Sequence, residues 1–125
     1  MKKKKEKKIT KKQIKKQLKR EIKQLDLYWQ KSVRERDGNK CVICGSTEKL
    51  NVHHIIPREN AFFRHEQANG IVLCVLHHRF SFEISPHQAP FNFFNWMQDN
   101  REEQMNILRE KWKLWKQMQK ENIQK

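Results

Sequence analysis

The sequence is poor in the residues that usually hold a small fold together. Its 125 residues include three cysteines, three glycines, three prolines and one tyrosine, and only 36% are hydrophobic. No apolar run approaches the roughly 20 residues of a membrane-spanning helix, and the charged start of the chain does not resemble a secretory signal peptide. Three cysteines cannot all pair, so we expect them to bind a metal rather than form disulfides. A core this small usually needs such a staple.

Acidic residues are also scarce: 14 stand against 28 Lys and Arg, which gives a net charge of +14. Residues 1–20 hold eleven Lys and one Arg against a single Glu. A polyanion is the natural partner, because each neutralised phosphate releases counterions. We therefore expect DNA as partner and no membrane, in the cytoplasm of a bacterial or phage-infected cell, or in the nucleus of a eukaryotic host. The alternative is a solvated tail that only aids solubility.

The pattern divides the chain into four segments. Residues 1–12 are predicted to be a basic arm that self-repulsion keeps disordered. Residues 13–36 carry apolar residues three or four positions apart, which predicts an amphipathic helix; they are Ile14, Leu18, Ile22, Leu25, Trp29 and Val33. Residues 37–85 are predicted to hold two short strands, at 52–56 and 71–76, and then a helical stretch at 75–83.

The fourth segment, residues 86–125, is aromatic-rich and predicted to be helical. Five apolar residues recur at helical spacing: Met105, Leu108, Trp112, Trp115 and Met118. Asn100 is the predicted N-cap, with two glutamates in the first turn. We interpret the aromatic residues as core packing, and the alternatives are base stacking or the seam of a homodimer.

Two short motifs have the spacing of metal ligands. Cys41-Val-Ile-Cys44 is followed by Gly45, which permits a tight turn, and Cys74-Val-Leu-His77 repeats the spacing with a histidine in the last place. Together they supply three sulfurs and one nitrogen, a usual shell for structural zinc. Because His77 and His78 are adjacent, either can be the fourth ligand.

Between these motifs lies a pair of histidines, His53 and His54. Consecutive side chains of a strand point to opposite faces, so the two need not do the same job. One can hold a metal while the other takes up a proton, because imidazole suits both tasks near neutral pH. The alternative makes one of them the fourth zinc ligand and the other a surface residue.

These motifs, in this order, resemble the HNH endonuclease family, also called ββα-metal or His-Me finger nucleases, in its zinc-knuckle form. The matching stretches are Cys41-x2-Cys44, Val52-His53-His54-Ile55-Ile56-Pro57 and Asn69-Gly70-Ile71-Val72-Leu73-Cys74-x2-His77-His78. The resemblance implies an α+β fold: a small ββα-metal core with a structural zinc, flanked here by N- and C-terminal amphipathic helices. The Trp-rich flanks are faintly similar to those of phage recombination nucleases.

The resemblance also implies a role for each matching residue. His54 corresponds to the general base, His53 and His78 to ligands of a catalytic ion, and Asn69 to the residue that ties down the loop between the strands. The structural zinc ligands of the family correspond to Cys41, Cys44, Cys74 and His77. Some relatives have a further histidine where this chain has Phe82, so we expect only two protein ligands for the catalytic ion.

Two imidazoles without a carboxylate favour Mn²⁺, Ni²⁺ or Zn²⁺, although Mg²⁺ remains an alternative. Arg58 and Arg79 lie near these motifs and are predicted to contact phosphate. The sequence therefore predicts a metal-dependent DNA endonuclease that hydrolyses phosphodiester bonds with low sequence specificity or a preference for DNA structure. Its rivals are a non-catalytic zinc module that binds nucleic acid and an adaptor that binds a partner protein through the C-terminal helix.

Overall fold

The computed structural model describes residues 8–124. Three helices and two strands follow one another in the order α1 (Lys11–Arg36), β1 (Leu50–His54), β2 (Gly70–Cys74), α2 (Pro90–Asn100) and α3 (Glu102–Gln124). Helix α1 begins two residues before its predicted start, because Thr10 and Gln13 form a capping box: each side chain accepts from the backbone N–H of the other, at 3.1 and 2.9 Å. Most of the predicted arm, residues 1–7, lies outside the described residues.

The two strands form an antiparallel hairpin whose register runs from the Leu50–Cys74 pair to the His54–Gly70 pair. A 3₁₀ turn, Gln67–Asn69, leads into β2. After β2 the chain enters a π-helical turn, Leu76–Phe80, which is all that forms of the predicted helical stretch. The predicted α+β class is confirmed.

Strand β2 is the centre of the core, and all five of its residues are buried. On one face Val72 packs with Trp29 and Val33 of α1. On the other face Ile71 and Leu73 pack with residues of the inter-strand loop and the C-terminal helices, namely Phe63, Phe93, Met97, Met105 and Leu108. The hairpin is thus held between α1 and the C-terminal pair of helices.

The apolar stripe of α1 is only partly covered. Trp29 and Val33 are buried, whereas the stripe's earlier members are 40–52% exposed: Ile14, Leu18, Ile22 and Leu25. Helix α1 therefore contacts the core only through its C-terminal part. None of the described helices is long and apolar enough to cross a membrane.

The C-terminal segment forms two helices. Asn100 is the last residue of α2, where its side chain donates to the carbonyl of Trp96 at 2.9 Å, so its prediction as an N-cap is wrong. Arg101 stands between the helices and donates to Gln104 at 2.9 Å and to Asp37 at 2.7 Å. These bonds fix the break between α2 and α3 against the end of α1.

Candidate active site

Strand β1 sends its two histidines to opposite faces of the hairpin. Asn51 and His53 lie on the face toward the π-helical turn, because side chains alternate along a strand and both contact His78 of that turn. His54 lies on the other face, against Trp29 of α1. The two imidazoles therefore have separate surroundings, as their adjacency in a strand predicts.

Three histidine nitrogens converge on the first of these faces. His53 Nδ1 lies 3.1 Å from His78 Nε2, and His87 Nε2 lies 3.0 Å from the same His78 atom. Imidazole nitrogens bound to one ion at about 2.0–2.1 Å stand roughly 3.0–3.4 Å apart. The histidine trio, His53, His78 and His87, therefore has the spacing to hold a divalent ion.

The ring of His78 is oriented by a neighbour on β1. The Asn51 side-chain oxygen lies 2.9 Å from His78 Nδ1 and can accept a hydrogen bond from its N–H. A neutral imidazole has one N–H and one lone pair, so this bond leaves the lone pair of Nε2 facing the trio. Such an outer partner is what metal-binding histidines usually have.

Burial keeps two members of the trio uncharged. It lowers the pKa of His53 to about 3, with a further contribution from the charge of His78. The pKa of His78 falls to about 4 for the same first reason, followed by the charges of His87 and Arg79. Both imidazoles are therefore neutral at physiological pH, with a lone pair for a metal.

The trio offers three possible protein ligands where the sequence predicts two. His87 lies in the turn between the π-helical turn and α2, beyond the stretch that resembles the family, and no periodicity connects it to His53. The sequence offered only an unassigned histidine nine residues after His78. Asn51 was also missed, although its position two residues before His53 in a strand places both on one face.

His54 is held from two directions. Its Nε2 donates to the carbonyl oxygen of Arg64 at 3.0 Å. Its ring stacks on that of Trp29, with centroids 3.9 Å apart and planes 10° from parallel. Burial lowers its pKa, so the ring is neutral near pH 7. With Nε2 as donor, the lone pair is on Nδ1.

Asn69 is fully buried beneath the loop that joins the strands. Its side-chain oxygen accepts from the N–H of Ile56 at 2.7 Å. Its amide donates to the carbonyls of Ile56 and Phe63, at 2.9 and 3.1 Å. One side chain thus closes both ends of the segment that includes Pro57–Phe62.

A second cluster brings together Cys41, Cys44, Cys74 and His77. Sulfurs of Cys44 and Cys74 lie 3.8 Å apart, and His77 Nδ1 lies 3.7 and 3.2 Å from those of Cys41 and Cys74. Ligands around tetrahedral zinc stand about 3.8 Å apart when the zinc–sulfur bonds are about 2.3 Å. The Cys3His cluster therefore fits structural zinc, and its histidine is His77, since His78 belongs to the trio.

The first half of the Cys3His cluster is a tight turn. Gly45 has a φ of +76° and donates to the carbonyl of Cys41 at 2.8 Å, and Cys41 N–H donates to Ser46 at 2.9 Å. Burial raises the pKa of the Cys41 thiol, but backbone N–H groups led by that of Cys74 outweigh it, so the net shift is downward. This favours the thiolate that a metal binds.

The two predicted phosphate contacts are both exposed. The Arg58 side chain is 69% exposed and faces Glu59 at 4.0 Å. Arg79 follows His78 directly, and its charge lowers the pKa values of His53 and His78. Both guanidinium groups are accessible to a ligand from solvent.

Among the comparisons with known proteins, the one with protein families found a match. The family model described as HNH endonuclease matches residues 41–81. That stretch is therefore an HNH endonuclease domain, and such a domain implies a phosphodiester hydrolase. It includes the Cys3His cluster, His53, His54 and His78, but not α1, His87 or the C-terminal helices. Neither the curated proteins nor the solved structures contain a match.

Proposed function

We propose that the chain is a metal-dependent DNA endonuclease in which His54 is the general base and the histidine trio holds the catalytic ion. The observation that supports this most directly is the contact between His54 Nε2 and the carbonyl oxygen of Arg64. Nε2 donates its hydrogen to this backbone carbonyl, so the lone pair of Nδ1 is ready to accept a proton.

His54 takes a proton from an attacking water through Nδ1. The carbonyl of Arg64 then stabilises the imidazolium that forms, because it already accepts from Nε2. The lowered pKa keeps the ring unprotonated at neutral pH, before the water arrives. General-base action of this kind is worth about 10²–10⁴-fold in rate.

His53, His78 and His87 hold the divalent ion, and Asn51 keeps the His78 ring turned toward it. When bound, the ion would act as a Lewis acid that polarises the phosphate and stabilises the charge on the leaving oxygen. A set of three imidazoles favours Mn²⁺, Ni²⁺ or Zn²⁺ more than Mg²⁺. Arg58 and Arg79 contact the phosphates that flank the cleaved bond.

The N-terminal part of α1 supplies affinity for the DNA backbone. Its exposed basic side chains are Lys11, Lys12, Lys15, Lys16, Lys19, Arg20 and Lys23. Contacts to phosphate carry no sequence information, so we propose low sequence specificity or a preference for DNA structure. Because the proposed substrate is DNA, the proposed location is the cytoplasm of a bacterial or phage-infected cell, or the nucleus of a eukaryotic host.

One active site cuts one strand, so a double-strand break requires two visits or two copies. Helix α3 presents exposed apolar side chains to solvent, among them Leu114, Met118 and Ile123. We propose this face as the seam if the protein is a homodimer.

The test compares plasmid nicking by the wild type, His54→Ala and His87→Ala, each with Mg²⁺, Mn²⁺, Ni²⁺ or Zn²⁺ added. Wild type should nick, and His54→Ala should lose about 10²–10⁴-fold in rate while it still binds DNA and the ion. His87→Ala should need more metal for half-maximal nicking but approach the wild-type rate at saturation.

Zinc content and thermal midpoint serve as controls, since all three proteins should keep the structural zinc. A wild type that binds DNA and never nicks it would favour the non-catalytic zinc module instead. If His54→Ala nicks as fast as wild type, the assignment of the base is wrong even though the activity stands.

A further inference from the structure

The position of the Arg64 carbonyl decides which nitrogen of His54 is free. It accepts from Nε2 at 3.0 Å, which leaves the lone pair on Nδ1. With the carbonyl displaced, this constraint is lost and both neutral tautomers become accessible, because the hydrogen bond made at one ring nitrogen sets which nitrogen carries the proton. Whatever fixes residues 64–66 therefore also fixes His54.

Asp26 of α1 holds the side chains of two consecutive residues in this segment. Its carboxylate accepts two bonds from the Arg64 guanidinium, at 2.9 and 2.8 Å, and one from His65 Nε2, at 2.6 Å. A bidentate pair constrains the guanidinium in both distance and plane. The bond to Arg64 is the first cause that lowers the pKa of Asp26 to about 2, so the carboxylate is charged throughout the physiological range.

Trp29, three residues later on the same helix, holds the other side of the segment. Its indole N–H donates to the carbonyl of Glu66 at 2.7 Å, while its ring stacks on His54. Trp29 is only 3% exposed, so its ring is fixed by the core. Asp26 and Trp29 thus fix residues on both sides of the Arg64 carbonyl, and Trp29 also fixes the plane of the His54 ring.

We infer that Asp26 and Trp29 are positioning residues for His54, so that helix α1 is part of the active site although it lies outside the HNH domain at residues 41–81. Asp26 sets the tautomer through Arg64, and Trp29 sets the plane of the ring. The catalytic consequence rests on the proposed function, but the structural one does not. It follows that a fragment of residues 41–81 alone, without α1, would lack a properly oriented His54.

The first measurement is the tautomer of His54, read from the ¹⁵N chemical shifts of its ring in the zinc-loaded full chain without DNA. Wild type should show the Nε2–H form. Asp26→Asn keeps the shape of the side chain and Trp29→Phe keeps an aromatic ring, but each loses bonds to residues 64–66. Both variants should therefore show a mixture of the two His54 tautomers. Asp99→Asn, which alters an exposed carboxylate on α2 away from His54, should match the wild type.

The second measurement is nicking kinetics. Asp26→Asn and Trp29→Phe should lose about tenfold to a hundredfold in kcat, since a displacement of about 1 Å can cost 10²-fold. KM should not change, because neither residue is expected to contact DNA. Asp26→Glu should recover part of the rate lost in Asp26→Ala, as it keeps the charge that binds Arg64.

Folded Asp26→Asn and Trp29→Phe proteins that keep the wild-type tautomer would overturn the inference. If the tautomer shifts in both variants but the wild type nicks no DNA with any ion, the positioning holds and the proposed function fails. If the tautomer shifts and kcat stays at the wild-type value, His54 is not limited by its orientation and the catalytic half of the inference is wrong.

Discussion

Asp37, at the C-terminus of α1, joins three parts of the chain through one buried carboxylate. It accepts from the guanidinium groups of Arg36 and Arg101 and from the backbone N–H of Val72. Its side chain is fully buried. Burial raises the pKa of Asp37, but these donors, led by Arg36, outweigh it and lower the pKa below the ordinary 3.8.

Replacing Asp37 by Asn should destabilise the fold in a pH-dependent way. Removing one partner of a buried ion pair costs about 3–5 kcal/mol, so Asp37→Asn should lose that much at pH 7. Because the folded-state pKa is depressed, this stability is present above about pH 3.8 and is lost as the pH falls through the folded-state value. Urea unfolding from pH 7 to pH 2 should show a constant gap between the two proteins down to about pH 4, and a gap that narrows as the pH falls further.

Asp99→Asn is the matched control for Asp37→Asn, since Asp99 lies exposed on α2. It should follow the wild type at every pH. A gap between Asp37→Asn and wild type that does not narrow between about pH 4 and pH 2 would contradict a stabilising role for the charge of Asp37.

Single residues differ in how far the sequence reveals them. His53 and His54 could be separated from sequence because strand alternation is a local rule. The choice between His77 and His78 could not, since adjacent residues in a helical turn differ in direction by an amount that only the tertiary structure fixes. His87, Asp26 and Trp29 reach the site through folding of distant segments, and no local pattern marks them as site residues.

At the scale of elements, the approach of α1 to β2 depends on a missing side chain. A Cβ at Gly70 would lie 2.5 Å from Val33 Cγ2 and 2.7 Å from Trp29 Cζ2. The Gly70 carbonyl also accepts from Arg36 and Gln104, at 2.6 and 2.8 Å. Helix and strand therefore contact each other here with no room for movement.

Gly70→Ala should push α1 away from the hairpin. Overpacking of this kind costs about 1–3 kcal/mol, occasionally more, and we expect the upper end because both atoms that the new methyl meets belong to buried side chains. Chemical denaturation measures the loss of stability. Since Trp29 stacks on His54, the variant should also lose nicking activity at temperatures where it remains folded.

A second-site variant tests the cause of this loss. Val33→Ala makes room for the methyl, so Gly70→Ala with Val33→Ala should be less destabilised than the sum of the two single variants. Strict additivity would show that the contact with Val33 is not what destabilises Gly70→Ala.

The elements themselves were predictable where periodicity is strong and less so where a local bond decides. Helix α1 and the hairpin follow from apolar spacing and β-branched residues. The break between α2 and α3 was missed because it depends on Arg101, whose partner Asp37 is 64 residues away. The short π-helical turn contains both His77 and His78, which belong to different clusters.

At the scale of the whole molecule, the Cys3His cluster can compensate for a small hydrophobic core. It joins the start of the hairpin segment to the π-helical turn, and Cys41 and Cys74 belong to the buried hydrophobic cluster. Structural zinc contributes about 10–16 kcal/mol to folding in small peptides at neutral pH. Domains are typically stable by only about 5–15 kcal/mol in total, so a zinc ion bound here would be enough to decide whether this one folds.

Loss of zinc should therefore unfold the hairpin domain. Cys44 is the ligand to change, because it is exposed and its replacement leaves the buried core intact. Cys44→Ala should bind no zinc at stoichiometric metal and lack a cooperative thermal transition by near-UV circular dichroism. Cys44→His, which offers a Cys2His2 shell, should keep one zinc per chain and a cooperative transition. A zinc-free Cys44→Ala protein that melts cooperatively at the wild-type temperature would show that the hydrophobic core suffices without the ion.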